Sequence, residues 1–151
     1  METRKITKRD YDEIVRVIDH WWGGGPMSTF AHPIFFYELG DNALIVEENS
    51  KMVGFLLGFV SFKKIKTGYV HLVGIHPDYR RKGVGRLLYQ TFTDRCRTAG
   101  CERMKAITTI ANEGSLSFHQ ALGWKTTEIE DYAGEDRRRI VFTRELSTSR
   151  N

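Results

Sequence analysis

The segment YVHLVGIHPDYRRKGVGRLL, residues 69–88, decides the fold. Tyr69–Ile75 is rich in β-branched and apolar residues, which is typical of a strand, and Pro77 has no backbone N–H with which to extend it. From Gly83 the apolar residues recur every three or four positions, and Gly100 is the usual kind of helix stop. The sequence therefore predicts a strand, a loop and a long helix in direct succession.

The loop before this helix is rich in glycine and in cations. A helix N-terminus presents unpaired backbone N–H groups and a partial positive charge, which together favour an anion. Glycines let the backbone approach phosphate oxygens, and cationic side chains add charge-assisted hydrogen bonds. The loop predicts a diphosphate site, with a solvated basic helix end as the simpler alternative. The candidate residues are Arg80, Arg81, Lys82, Gly83, Val84, Gly85 and Arg86.

Two other phosphate motifs do not fit this loop. The P-loop needs a glycine, four further residues and then Gly-Lys-Ser/Thr, a spacing that the sequence lacks here. The dinucleotide fingerprint needs glycine or alanine where Leu88 stands, and an acidic residue at the end of the next strand, where residues 109–112 have none. An NTPase and a dinucleotide-binding enzyme are therefore disfavoured.

Arg80–Gly85 resembles the Arg/Gln-x-x-Gly-x-Gly/Ala motif of the GNAT superfamily of N-acetyltransferases. The resemblance implies acetyl-CoA as the acyl donor and a primary amine of a small molecule, peptide or protein as the acceptor. It also implies a cleft where the fourth and fifth strands splay apart, here residues 69–75 and 104–109. The backbone of Val73 and Ile75 would then pair with the pantetheine arm.

The whole chain predicts the order β-α-α-β-β-β-α-β-α-β-β. We expect a single-domain α/β fold over residues 1–146, with a mixed, mostly antiparallel sheet of about seven strands, about four flanking helices and a splay between strands 4 and 5. Asp10 is expected to cap the first helix, which runs to about Trp22, and residues 147–151 are expected to form a disordered tail. The expected strands cover residues 4–6, 43–47, 53–62, 69–75, 104–109, 124–129 and 139–144, and later helices lie between 28 and 40, 83 and 100, and 115 and 122.

The stretch NEGSLSFHQALGW, residues 112–124, is similar to a second stretch of the same family. The resemblance implies that Asn112 contacts pantetheine, although asparagine is also a good helix cap. Ser115 is expected near the phosphate or pantetheine part of the cofactor, or in solvent. His119 stands where many family members carry the tyrosine that protonates the CoA thiolate. An imidazolium can donate a proton near neutrality, and a structural helical histidine is the alternative.

His71 is the candidate for the base that takes a proton from an ammonium acceptor. It lies in the strand expected to splay, where strict alternation predicts that it faces away from Val70 and Leu72, so a packing histidine is the alternative. Cys96 falls on the apolar stripe of the long helix. A covalent acyl-cysteine is therefore disfavoured, and direct transfer is expected.

Acceptor sites in this family are built from the region between the first two helices and from the terminal hairpin loop. Here these parts contain Trp21 and Trp22, which could stack on a substrate, and Tyr132 within an acidic hairpin. A cationic amine would fit such a site. The alternative is that the tryptophans close the core and the acidic hairpin is solvated.

Composition excludes several other classes of protein. The net charge is +4, but 19 acidic residues are mixed among 23 basic ones, which argues against a nucleic-acid-binding face. The longest apolar run, residues 53–60, is too short to span a bilayer, and two cysteines are too few for a zinc site or a disulfide framework. We expect no metal, a cytoplasmic location, and a monomer or homodimer. The alternatives to acetyl transfer are a non-catalytic acyl-CoA-binding module and an acyltransferase with another donor or acceptor.

Overall fold

The computed structural model describes residues 1–22 and 27–146 of the 151-residue chain. The Gly-Gly-Gly-Pro run at 23–26, whose composition predicts a helix break, and the expected tail at 147–151 both lie outside the described residues. Short 3-10 turns occupy Ser28–Phe30, Gly40–Asn42 and Pro77–Tyr79. The helices and strands are β1 Glu2–Lys5, α1 Lys8–Trp21, α2 Ile34–Tyr37, β2 Leu44–Glu48, β3 Lys51–Ser61, β4 Thr67–Ile75, α3 Val84–Thr98, β5 Arg103–Thr108, α4 Glu113–Ala121, β6 Lys125–Ile129 and β7 Arg139–Glu145.

The strands form one seven-stranded sheet in the order β1-β2-β3-β4-β5-β7-β6. Every neighbouring pair is antiparallel except β4 and β5, so the predicted mixed sheet is confirmed. The parallel pairing of β4 with β5 covers three positions, from Thr67 opposite Arg103 to Tyr69 opposite Lys105. Beyond Tyr69 the two strands are unpaired over their described residues. This is the splay that the resemblance implies.

Helices cover both faces of the sheet and create two cores. On one face α1 and α2 bury Ile14, Ile18 and Phe35 against β2 to β4. On the other face α3 buries Leu88 and Phe92, and α4 packs beside it. Each large apolar side chain buried in this way stabilises the fold by about 1.5–3 kcal/mol. Among the described helices, none is both long and apolar enough to cross a membrane.

A β-bulge in β4 decides which way the residues of this strand point. Gly58 of β3 pairs with Val70, but the preceding Leu57 pairs with Leu72, so His71 is an extra residue in β4. Val70 therefore packs in the core under α3, whereas Leu72 packs in the core under α1. The expectation from strict alternation, that Val70 and Leu72 share a face opposite His71, is wrong because the bulge interrupts the two-residue period.

The first helix begins at a different residue from the one expected. Thr7, not Asp10, is the N-cap. Asp10 is the third residue of the helix, where its side chain completes a capping box with Thr7. The Asp10 carboxylate accepts from the Thr7 backbone N–H at 2.8 Å and from both terminal nitrogens of Arg4 at 2.7 and 3.0 Å. Aspartate is a good cap residue in either role, and here its carboxylate both completes the capping box with Thr7 and pairs with Arg4.

Candidate functional site

The splay between β4 and β5 opens into a cavity of about 600 Å³. Its walls come from both faces of the sheet, because Val73 and Ile75 pack on the α3 side while His71 and Leu72 lie on the α1 side. The cavity therefore passes from one face of the sheet to the other. The expected site residues that line it are Trp21, Trp22, His71, Val73, Ile75, Arg80, Arg81, Gly85, Asn112, Ser115 and His119.

The two glycines of the loop have different reasons to be glycine. Gly83 is the N-cap of α3 with φ +87°, a left-handed conformation, and apart from the adjoining backbone no described heavy atom lies within 4 Å of the place where its Cβ would be. At Gly85 a Cβ would lie 3.1 Å from Ile75 and 3.2 Å from Phe118. Gly83 thus provides backbone freedom and open space at the helix N-terminus. Gly85 allows α3 to pack closely against β4 and α4.

The cations of the loop point in several directions. Arg81 lines the cavity and has a left-handed backbone with φ +61°. The ammonium of Lys82 lies 5.4 Å from the centre of the Tyr79 ring, and Arg86 is exposed in the first turn of α3. Val84 buries its side chain in the core, so it can offer a ligand only its backbone N–H. Several positive charges therefore surround the open N-terminus of α3.

Arg80 has a partner within the protein. Its guanidinium donates a hydrogen bond to the backbone carbonyl of Trp21, the last residue of α1. The same side chain lines the cavity. The loop and the end of α1 are thus joined at the cavity wall.

Asn112 and Ser115 lie together at the start of α4. The side-chain oxygen of Asn112 accepts from the backbone N–H of Ser115 at 3.0 Å, so Asn112 is the N-cap of α4 as well as a cavity residue. The cap uses only the oxygen, which leaves the NH2 group of Asn112 to donate toward the cavity. Asn112 can therefore cap α4 and still donate a hydrogen bond to pantetheine.

Both ring nitrogens of His119 have partners. Nδ1 lies 2.8 Å from the Ser115 carbonyl oxygen, and Nε2 lies 2.7 Å from the Tyr89 hydroxyl. A carbonyl can only accept, so Nδ1 carries the hydrogen and Nε2 accepts from Tyr89. The ring is 4% exposed and stacks on Phe142 at 4.0 Å. Burial lowers the pKa of His119 and raises that of Tyr89, which favours the neutral form of both.

His71 is bonded through one ring nitrogen. Nε2 lies 2.8 Å from the Phe30 carbonyl oxygen, so it carries the hydrogen, and Nδ1 keeps a lone pair. The ring stacks on Phe35, with centroids 4.2 Å apart and planes 6° from parallel. Burial lowers the pKa of His71, which keeps the imidazole neutral near pH 7.

The three residues expected to bind the acceptor lie in different environments. Trp21 is buried against Phe55, whereas Trp22 is 38% exposed, and both line the cavity. The ammonium of Lys105 lies over the Tyr132 ring, 5.0 Å from the ring centre. Tyr132 is not among the described residues of the cavity wall. That wall includes no aspartate or glutamate among the residues that the structure describes. The acidic hairpin therefore does not line the cavity.

Sequence reasoning missed two partners of the site. Tyr89 holds Nε2 of His119, and its position within the buried stripe of α3 could have indicated it, because a buried tyrosine hydroxyl usually needs a partner. The carbonyl of Phe30 holds His71, and no sequence signal identifies a backbone carbonyl in a turn. In the described part of the chain, no three histidine, cysteine or acidic side chains are grouped to hold a metal ion.

Comparisons with known proteins agree with this architecture. A family model described as the acetyltransferase (GNAT) family matches residues 8–124. The chain is 34% identical over 90 residues to the L-amino acid N-acyltransferase MnaT of Escherichia coli (strain K12). That match covers 58% of this chain and 52% of the relative, so the chain spans about half the length of that enzyme.

Two solved structures show the same fold. The NatC complex bound to Gag peptide and CoA superposes with a TM-score of 0.80 at 15% identity, covering 97% of this chain and 98% of that chain. The structure of yncA from Salmonella typhimurium, solved with its cofactor acetyl-CoA, superposes with a TM-score of 0.74 at 22% identity, covering 98% of this chain and 95% of that chain. At these identities the likeness is one of fold.

Proposed function

Because the chain belongs to the GNAT family of acetyltransferases, we propose that it transfers an acetyl group from acetyl-CoA directly to a primary amine, with the α-amine of an L-amino acid as the favoured acceptor. The observation that carries the proposal is the cavity at the splay, which joins the glycine- and arginine-containing loop before α3 to the aromatic side chains of Trp21 and Trp22 on the opposite face of the sheet. The donor would enter from the α3 side and the acceptor from the α1 side.

The residues present fit acetyl-CoA, which supplies the activated acetyl thioester when bound. The backbone N–H groups at Gly83 to Gly85, with Arg81 nearby, suit a diphosphate because they combine a helix N-terminus with positive charge. Beyond Tyr69 the edge of β4 is free of β5, so the backbone of Val73 and Ile75 can pair with the pantetheine amides. Lys82, Arg86, the backbone of Val84 and the NH2 group of Asn112 add further donors.

His71 would accept the proton that the amine must lose before or during attack. Its Nδ1 lone pair is left over by the Nε2–H bond to Phe30, and its lowered pKa keeps that lone pair available at neutral pH. A proton can reach it directly or through one water. The new N–C bond then forms as the C–S bond breaks, and the nitrogen proton passes to the base.

Ser115 and His119 would serve the departing thiolate. Nδ1–H of His119 lies 2.8 Å from the Ser115 carbonyl oxygen and 3.4 Å from its hydroxyl oxygen. The Ser115 hydroxyl would donate its hydrogen to sulfur, while the His119 N–H, bonded to the Ser115 carbonyl, holds the first turn of α4 in place. Burial raises the pKa of Cys96 to about 12, which disfavours a covalent acyl-cysteine and supports direct transfer.

The cavity wall favours an acceptor with an apolar side chain. Trp22, Leu72 and Ile107 line it, and its described residues include no carboxylate that would attract a polycation. The E. coli relative is named as an L-amino acid N-acyltransferase, which supports the same choice. The cationic acceptor expected from the acidic hairpin is correspondingly disfavoured.

A two-step experiment tests the proposal. Calorimetry with acetyl-CoA, NAD and ATP should show saturable binding of acetyl-CoA alone, and Gly83→Glu should abolish it by filling the open space at the helix N-terminus. Thiol release should then be measured with apolar L-amino acids, a polyamine and a peptide with a free N-terminus, with the product identified by mass. Preference for NAD or ATP, or acetyl-CoA binding without acetylation of any amine, contradicts the proposal.

A non-catalytic acyl-CoA-binding module is the second candidate. One observation favours it, namely that both ring nitrogens of His119 are engaged inside the protein where the family commonly has a tyrosine acid. This candidate predicts tight binding of acetyl-CoA with no acceptor-dependent release of thiol. The assay above separates the two.

A further inference from the structure

Arg80 makes a contact that phosphate binding does not explain. Its guanidinium donates to the backbone carbonyl of Trp21, a residue 59 positions earlier in the chain. The same two segments also meet through the rings of Trp21 and His76, whose centroids are 5.3 Å apart with an interplanar angle of 63°. The loop before α3 and the end of α1 are therefore attached to each other twice.

The end of α1 benefits from such a cation. The last carbonyl groups of a helix lack intrahelical donors and carry the negative end of the helix dipole. Arg80 supplies a donor and a positive charge at that point, while the N-terminus of α3, three residues after Arg80, attracts an anion. The Arg80 guanidinium thus lies between the negative end of α1 and the loop that precedes α3.

Residues on the far side of the α1 terminus are also held in place. The carboxylate of Asp19 accepts from the backbone N–H groups of Met27 and Ser28 at 2.6 and 2.8 Å. The carbonyl of Phe30 accepts from His71. The end of α1 is therefore attached to the loop before α3 by Arg80, and residues 27–30 are attached to α1 by Asp19 and to β4 by His71. Trp22, directly after Trp21, presents a partly exposed ring at the cavity.

We propose that Arg80 is a positioning residue for the acceptor wall. By bonding to Trp21 it holds the last turn of α1, and hence Trp22, against the loop that binds the cofactor. Its main effect is then on acceptor binding, although its motif position indicates a phosphate ligand. The term acceptor wall rests on the proposed function, whereas the attachment of α1 to the loop does not.

Arg81 provides a matched control, because it is the next residue, carries the same charge and lines the same cavity. The variants to compare are Arg80→Gln, Arg80→Lys and Arg81→Gln. Three quantities are measured for each: the Kd for acetyl-CoA by calorimetry, the KM and kcat for the acceptor at saturating acetyl-CoA, and hydrogen exchange of the amides at the end of α1.

For Arg80→Gln we expect the acceptor KM to rise about tenfold, equivalent to about 1.4 kcal/mol, with kcat and the Kd for acetyl-CoA nearly unchanged. Amides in the last turn of α1 should exchange faster, and Arg80→Lys should restore part of both effects because it keeps a charged donor. Arg81→Gln should instead weaken acetyl-CoA binding and leave exchange in α1 unchanged.

The proposal is overturned if Arg80→Gln weakens acetyl-CoA binding as much as Arg81→Gln does while exchange in α1 stays at the wild-type rate. If the wild-type protein acetylates no acceptor, the proposed function fails, but calorimetry and exchange still decide the role of Arg80. Faster exchange in α1 with intact acetyl-CoA binding then supports it, and unchanged exchange refutes it.

Discussion

His71 on β4 and His119 on α4 lie in similar surroundings and differ in what contacts the second ring nitrogen. Each ring stacks on a phenylalanine, Phe35 at 4.2 Å and Phe142 at 4.0 Å, and each donates one N–H to a backbone carbonyl at 2.8 Å. The second nitrogen of His119 accepts from Tyr89. In the described chain the second nitrogen of His71 has no such donor.

Under the proposed function, this difference separates a structural imidazole, His119, from a reactive one, His71. Burial lowers the pKa of both side chains, so both are neutral near pH 7. A neutral imidazole with two satisfied nitrogens holds its neighbours in place, whereas one with a free lone pair at a cavity can accept a proton. Similar packing therefore does not imply a similar role.

The largest expected effect comes from removing the free lone pair. His71→Phe keeps the stack on Phe35 but loses the base, so kcat/KM at pH 7 should fall about 100-fold, the lower end of general-base contributions. The deficit should shrink as pH rises and more of the acceptor amine is already deprotonated. Initial rates from pH 7 to 9 measure this. A rate close to wild type at pH 7 would show that His71 only packs.

Removing one partner of the Tyr89–His119 hydrogen bond should lower the free energy of unfolding. His119→Phe keeps the stack on Phe142 but leaves the buried Tyr89 hydroxyl without its acceptor, at a cost of about 1–3 kcal/mol in the free energy of unfolding. Adding Tyr89→Phe should restore most of this loss, because neither partner is then polar. Urea unfolding of the two single variants and the double variant forms the cycle. Strictly additive losses would mean that the two groups do not interact.

The two histidines should also make stability depend on pH. Their folded pKa values lie below the ordinary 6.5, so near and below that pH the unfolded chain binds more protons than the folded one. Stability is therefore complete above pH 6.5 and is lost as pH falls, by up to about 1.4 kcal/mol per pH unit for each histidine. Urea midpoints between pH 8 and 5 should slope less in His119→Phe than in wild type. Equal slopes would exclude the burial of His119 as a cause.

The smallest effect is expected from changing the phenylalanines on which the two histidine rings stack. Phe35→Leu removes the stack beneath His71 and should cost about 0.5–1.5 kcal/mol of stability, with a modest loss of kcat as the imidazole becomes less well oriented. Phe142→Leu is the matched change beneath His119 and should reduce stability with a smaller loss of kcat. Steady-state rates and urea unfolding of both variants provide the comparison. A larger loss of kcat in Phe142→Leu would reverse the roles assigned to the two histidines.

Sequence periodicity predicted most of the fold but not its details. The long helix expected between Gly83 and Gly100 is observed as Val84–Thr98, because glycines and an apolar stripe mark it locally. The sequence does not distinguish Thr7 from Asp10 at the start of α1, because both are good cap residues and only the hydrogen bonds of the capping box show that Thr7 is the N-cap. In β4 the bulge at His71 could not be predicted, because it arises from the register with β3.

Within the site, the loop was the part most open to prediction. Gly83 leaves the backbone open, as the sequence predicts, whereas Gly85 also serves packing against Ile75 and Phe118, which composition cannot reveal. Tyr132 was expected to bind the acceptor, but it lies over Lys105, away from the described cavity wall. Its placement in that role stays a prediction without support from the geometry.

The sequence by itself determined the strand, the glycine-containing loop and the helix from which an anion site is predicted, because contiguous residues and local backbone conformation suffice to build these elements. Only the tertiary structure decided the chemical state of the side chains around that site. The partners of His71 and His119 lie 41 and 30 residues away, and the partner of Arg80 lies 59 residues away. Which nitrogen keeps a lone pair, and which cation is already engaged, depends on these distant contacts.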